Sequence, residues 1–125
     1  EWRAGNLVKV AAQVAQKPSN WLDEICKLDY ATARGDLQRI DGVGPKIADC
    51  VCLFAMKKDQ AVPVDTHVWQ LTRDRYLPHL KSKSLTPTGY AQVLAYYHTH
   101  FEKAGWAQQY LFYDHLLDSR EKRKS

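Results

Sequence analysis

Apolar residues recur along this chain at spacings of three and four, the period of a helix, and no stretch alternates convincingly as a strand would. In "AGNLVKVAAQVAQ", residues 4–16, Leu7, Val8, Val10, Ala11 and Val14 fall at helical spacing, and Lys17-Pro18 ends the run. A short helix through Trp21, Leu22 and Ile25 is expected behind a Ser19 or Asn20 cap, and another from an Asp29 cap towards Leu37. The clearest helix is "PKIADCVCLFAMKK", residues 45–58, where Pro45 suits the first turn and Ile47, Val51 and Phe54 make one stripe. In "DQAVPVD", residues 59–65, Pro63 and its β-branched neighbours favour extended backbone. Asp65 then stands where an N-cap belongs, ahead of "THVWQLTRDRY". After a surface loop at "LPHLKSKS", Thr86-Pro87 opens a helix carrying Val93, Leu94, Tyr97 and Phe101. Gly105 interrupts it, and "WAQQYLFYDHLLDS" forms the last helix. The expected fold class is all-α: one helical domain over residues 1–119, then a basic tail, "REKRKS" at 120–125, expected to be frayed and solvated.

Composition changes this picture little. The 125 residues are 45% hydrophobic and 26% charged, ordinary values for a globular chain. No apolar run approaches the roughly 18 residues of a membrane span, so no membrane partner is expected. Cys26, Cys50 and Cys52 lack C-x-x-C spacing, which argues for reduced thiols, and they are too few for a four-cysteine iron–sulfur cluster. The net charge of +4 tilts the partner towards a polyanion. The opening Glu1-Trp2-Arg3 has neither an initiator methionine nor a cap, and the chain is expected to be a fragment.

The chemistry concentrates at residues 37–48, "LQRIDGVGPKIA", which join two helices through a turn of a few residues. Gly42 and Gly44 allow positive φ and close backbone approach. The N–H groups of Gly42, Val43 and Gly44 and of the next helix start can then face outward at a positive dipole end, a receptor for phosphate. That is the pattern of a helix–hairpin–helix, which grips the DNA backbone without reading sequence. On "GVG" alone an ordinary helix–helix turn is the commoner outcome. Lys46 follows in the helix's first turn. A lysine enclosed there loses hydration and meets the dipole, and both effects favour the neutral, nucleophilic amine. Asp65 is equally a plain N-cap or a carboxylate placed to stabilise positive charge developing on a substrate.

"GVGPKIADCVCLFAM" followed by "QAVPVDTHVW" resembles the signature of the eukaryotic-type 8-oxoguanine DNA glycosylase/lyases, a branch of the helix–hairpin–helix superfamily. "AGWAQQYLF" resembles that family's C-terminal block, and "WRAGNL" a further segment. The resemblance implies a base-excision repair enzyme in which the Lys46 amine attacks C1′ of the damaged nucleoside, expels the base and leaves an imine. β-Elimination then breaks the strand, with Asp65 steadying the oxocarbenium-like transition state. The resemblance further implies that Cys50 and Phe112 sandwich the extruded base and Gln108 bonds its Watson–Crick edge. His67 would contact a phosphate beside the lesion, Trp2 wedge into the duplex, and Arg3 read the widowed cytosine. On the residues alone, Cys50 and Phe112 read as core.

By the same resemblance no cofactor is required, though a monovalent or divalent cation can sit on hairpin carbonyls around Ile40 and Val43. The implied partners are duplex DNA with oxidised guanine opposite cytosine and the family's N-terminal domain, which these residues do not include. The protein would act as a monomer in the nucleus, with mitochondria as a second compartment. One departure stands out: Asp41 replaces the proline usual before the hairpin glycine, and a carboxylate facing a phosphate would lower DNA affinity unless it turns away. Two alternatives remain, a glycosylase for another damaged base and a non-catalytic DNA-binding module.

Overall fold

The computed structural model describes residues 2–80 and 84–124, with residues 2 and 3 described by backbone only. Seven helices and no strand appear among the described residues: α1 Trp2–Ala15, α2 Trp21–Cys26, α3 Tyr30–Gln38, α4 Pro45–Phe54, α5 Thr66–Arg75, α6 Pro87–His100 and α7 Ala104–Lys124. The class is all-α, as the periodicity predicts. The chain divides between Pro63 and Val64 into two compact units.

In the first unit α2, α3 and α4 build the core. Ile25, Ala33, Leu37, Ala48, Cys52, Leu53, Met56 and Ala61 are buried together, with Trp21, Leu28, Tyr30, Val43 and Val51 packed around them. The buried side of α4 corrects the stripe expected from sequence. Ala48, Asp49, Cys52 and Leu53 face inward, whereas Ile47 and Phe54 are about half exposed, at 47% and 55%. An acid misleads here because carboxylates are seldom fully buried unless paired. Asp49 is paired: its Oδ1 accepts from Tyr30 Oη and from Arg34 Nε, the latter at 3.0 Å, so both α3 partners tie it down.

α1 departs further from expectation. Leu7 and Val8 are each 70% exposed, and the helix turns Asn6, Val10 and Gln13, at i, i+4 and i+7, away from solvent instead.

The second unit packs α5, α6 and α7. Val68, Trp69, Leu71 and Thr72 from α5 meet Tyr90, Val93 and Tyr97 from α6 and Ala104 and Gln108 from α7 as its buried residues. Thr72 Oγ1 and Tyr97 Oη are 3.1 Å apart in this interior, and burial pushes the Tyr97 phenol above its ordinary range. Thr86 caps α6 by accepting from Gly89 N–H at 3.0 Å. Gly89 in turn lies against the Trp69 ring, where a Cβ would come within 3.0 Å.

Two boundaries differ from the sequence reading. The break between α6 and α7 lies at Phe101, whose backbone is extended (φ −138°, ψ 133°), and Gly105 is buried inside the first turn of α7. Residues 120–124, expected to be frayed, continue α7 as exposed helix. Arg, Glu and Lys are good helix formers, and Lys122, Arg123 and Lys124 complement the negative dipole end of the last turn.

Candidate active site

The hairpin runs from the end of α3 to the start of α4. Arg39 and Ile40 N–H groups close α3 onto Asp36 and Leu37 carbonyls, and Val43 N–H then donates to Ile40 C=O at 3.0 Å. This is a four-residue turn with Gly42 in third position, at φ +100°. Gly42 takes the positive φ expected of the hairpin glycines. A Cβ there would also collide with the Asn6 side chain and touch Val10. Gly44 does not: its φ is −93°, ordinary extended backbone, and a Cβ would enter open space. Val43, named with the glycines as a backbone-contacting residue, spends its N–H inside the turn.

Gly44 is the N-cap of α4 and, as a glycine, brings no side-chain cap. α5 and α6, by contrast, are capped by the Asp65 and Thr86 side chains. Pro45 brings no N–H of its own, and the first turn beyond it presents backbone donors at the positive dipole end. Lys46 lies in that turn and is exposed, so the enclosure expected for it is not present in this chain. Cys50, one turn on, is half-buried on the same side. Cys52 is buried. Desolvation first, and the Asp49 charge second, push its thiol up to about 11, so it stays protonated and unreactive near neutrality.

Asp65 opens the second unit as the N-cap of α5. Its Oδ1 accepts from Val68 N–H at 2.9 Å, while Oδ2 lies 3.5 Å from His67 Nδ1. The carboxylate is thus fixed by a backbone bond on one oxygen and is one-third exposed through the rest, at 32%. The N-cap role and a charge-stabilising role are compatible in this geometry, because capping uses one oxygen only.

On α7 the structure separates the expected base-binding residues by burial. Gln108 is 1% exposed; its Oε1 accepts from Gln109 Nε2 at 2.8 Å, yet its own Nε2 finds no partner among the described residues. A buried unpaired amide costs on the order of 1–3 kcal/mol, and such a group calls for a ligand or a functional reason. Phe112 is half-buried and lines a cleft of about 250 Å³ with His67, Leu71, Arg75 and His115. Arg75 Nη2 lies 3.3 Å from His115 Nδ1 there, and 3.8 Å from an Asp118 oxygen. So His67 and Phe112, implied separately by resemblance, share one cleft of the second unit.

Lys46, Cys50 and the hairpin belong to the first unit; Asp65, His67, Gln108 and Phe112 to the second. Trp2 and Arg3 begin α1, and their side chains lie outside the described residues. Sequence reasoning missed what α1 does to the hairpin. Gln13 Nε2 donates to Asp41 C=O and Asp41 N–H donates back to Gln13 Oε1, both at 2.8 Å. Asn6 Nδ2 donates to Gly42 C=O at 3.3 Å, and the Lys9 ammonium pairs with the Asp41 carboxylate. Asp41 therefore turns towards α1. The available signal was the i, i+4, i+7 spacing of Asn6, Val10 and Gln13, hidden by the stronger apolar pattern beside it.

No family model matches the chain. The chain is 37% identical over 115 residues to the N-glycosylase/DNA lyase OGG1 of Arabidopsis thaliana, covering 89% of this chain and 32% of that protein. It is 44% identical over 59 residues to the N-glycosylase/DNA lyase of Saccharomyces cerevisiae, 46% of this chain and 16% of that one. Among solved structures it is similar to a Clostridium acetobutylicum 8-oxoguanine glycosylase/lyase in complex with dsDNA containing cytosine opposite 8-oxoG. The TM-score is 0.74 at 28% identity, over 95% of this chain and 39% of that one. The apo form of the Clostridium enzyme gives 0.71 at 30% identity, over 90% and 37%. The chain thus spans about a third of the length of the Arabidopsis relative.

Proposed function

We propose that this chain, which belongs to the N-glycosylase/DNA lyase family, is the portion of an 8-oxoguanine glycosylase/lyase that holds its nucleophile. The observation that supports this most is the pairing of an uncapped, glycine-started helix with a lysine in its first turn. Phosphate binding at such a helix start would bring the lesion strand to Lys46. In duplex DNA the base must first leave the stack, since C1′ is otherwise shielded. The neutral Lys46 amine then attacks C1′ as the glycosidic electron pair leaves with the base. Loss of an amine proton and opening of the sugar give an imine, and the acidified C2′ proton departs as the 3′ C–O bond breaks. Asp65, its orientation fixed by the Val68 N–H bond, would stabilise the positive charge that builds on the sugar.

Lys46 is exposed in the chain without DNA. A bound duplex closing over the amine would exclude water from the reacting centre. Gln108 would supply the base test: its buried, partnerless Nε2 is a donor waiting for an acceptor. Cys50 and Phe112 would flank the base and His67 reach a neighbouring phosphate. The remainder of a family-length protein would pack on the outward Leu7 and Val8 of α1 and supply the rest of the pocket. A cation on the Ile40 and Val43 carbonyls would stiffen the hairpin, and its DNA substrate would place the protein in the nucleus or mitochondria.

The test is covalent trapping. Incubated with duplex carrying 8-oxoguanine opposite cytosine and then reduced with borohydride, the family-length protein should give an adduct that Lys46→Gln abolishes. Equal adduct from that variant would remove Lys46 from the mechanism. Gln108→Ala should slow base excision at least tenfold while leaving cleavage at a ready-made abasic site within about threefold, a discrimination of at least about 0.7 kcal/mol. Equal losses on both substrates would overturn the base-reading role.

A further inference from the structure

We infer that Gln13 of α1 is a positioning residue for the hairpin, holding the backbone that grips phosphate through a two-way bond to Asp41. The inference rests on the proposed DNA reading and deepens it. Gln13 gives its amide N–H to Asp41 C=O and takes Asp41 N–H on its amide oxygen, each at 2.8 Å. One side chain thereby satisfies both polar groups of a single peptide position, fixing that residue's orientation as a neighbouring strand would. Asn6 holds the next carbonyl, that of Gly42, and its close approach is possible because position 42 has no Cβ. The Lys9–Asp41 ion pair directs the carboxylate onto α1.

A proline at position 41 would have no N–H and could not make the second Gln13 bond. Proline stiffens a turn through its ring, by fixing φ. Here the turn is held by external bonds instead, from Gln13 to the Asp41 backbone and from Lys9 to its carboxylate. The carboxylate that would have repelled a phosphate is neutralised by Lys9 in the same arrangement. Preorganised donors bind better than mobile ones because less freedom is lost on binding. The clamp's bonds are solvent-exposed, so their effect on global stability is small and their effect on hairpin order is local.

The experiment measures binding of the full chain to duplex containing a non-cleavable abasic analogue, by fluorescence anisotropy, across a salt series. Wild type should bind with an affinity that falls steeply with salt. Gln13→Met, similar in shape but without the bonds, should weaken binding about tenfold and reduce the salt slope by about 0.9, one phosphate contact, at an unchanged unfolding midpoint. Gln13→Glu, which can accept but not donate, should behave alike. Asp41→Asn keeps the backbone bonds and removes only the ion pair, so it should stay within about threefold of wild type. Wild-type affinity in both Gln13 variants would overturn the inference, as would an Asp41→Asn loss equal to theirs, which would shift the effect to the charge. Salt-independent binding by wild type would overturn the DNA reading itself, with slow exchange of the Asp41 N–H reporting separately whether the clamp forms.

Discussion

The two hairpin glycines look interchangeable in "GVG", yet the chain asks different things of them. Gly42 needs a conformation that L residues resist, at φ +100°, and space already filled by Asn6 and Val10. Gly42→Ala should therefore lower unfolding free energy by about 1–3 kcal/mol, read from the urea midpoint. Gly44 has neither constraint, and Gly44→Ala should leave the midpoint unchanged while weakening duplex binding, because the methyl group enters the open side. A large midpoint shift at position 44 would make that glycine structural. Sequence alone identified the pair and the lysine after it, since turn chemistry and helix-start signals are local. It could not rank the glycines, because the atoms that crowd Gly42 come from α1, 36 residues away. For the same reason the burial of Gln108 and its orphaned nitrogen were not legible from sequence.

At the scale of helices, periodicity located most of the elements and misassigned two of their faces. Both errors have one cause: polar side chains spent on interior bonds look like surface until their partners are known. On α4 the buried side includes Asp49, and on α1 the docked side includes Asn6 and Gln13. Asp49 also makes the more consequential prediction. It is fully buried, three residues after Lys46, and joins α4 to α3 through Arg34 and Tyr30. Removing one partner of a buried pair strands the other, at a cost of about 3–5 kcal/mol. Arg34 retains some exposure, 24%, and can partly rehydrate, so Asp49→Ala should cost about 3 kcal/mol in chemical denaturation. A loss below about 1 kcal/mol would mean that the pair is not what fixes α4 to α3.

Across the whole chain, charge is distributed in a way the net value of +4 conceals. Residues 120–124 hold four basic side chains and one acid, so three of the four net positive charges sit on the last exposed turn of α7 and the rest of the chain is nearly neutral. If the hairpin holds DNA as proposed, net charge outside the α7 end adds little to a long-range field, and the grip rests on fixed backbone donors and the local dipole. The two contributions respond differently to salt and to lesion identity. Cations on the α7 end act on any duplex through counterion release, with a slope of about 0.9 per phosphate neutralised. On the proposed reading, truncation after Ser119 in the family-length protein should lower affinity for damaged and undamaged duplex by the same factor, flatten the salt dependence, and leave the ratio of the two affinities unchanged. Titrations of both duplexes at several salt concentrations would measure all three quantities. Should truncation abolish the salt dependence entirely, the phosphate grip belongs to the tail, and the glycine turn is an ordinary connection between α3 and α4.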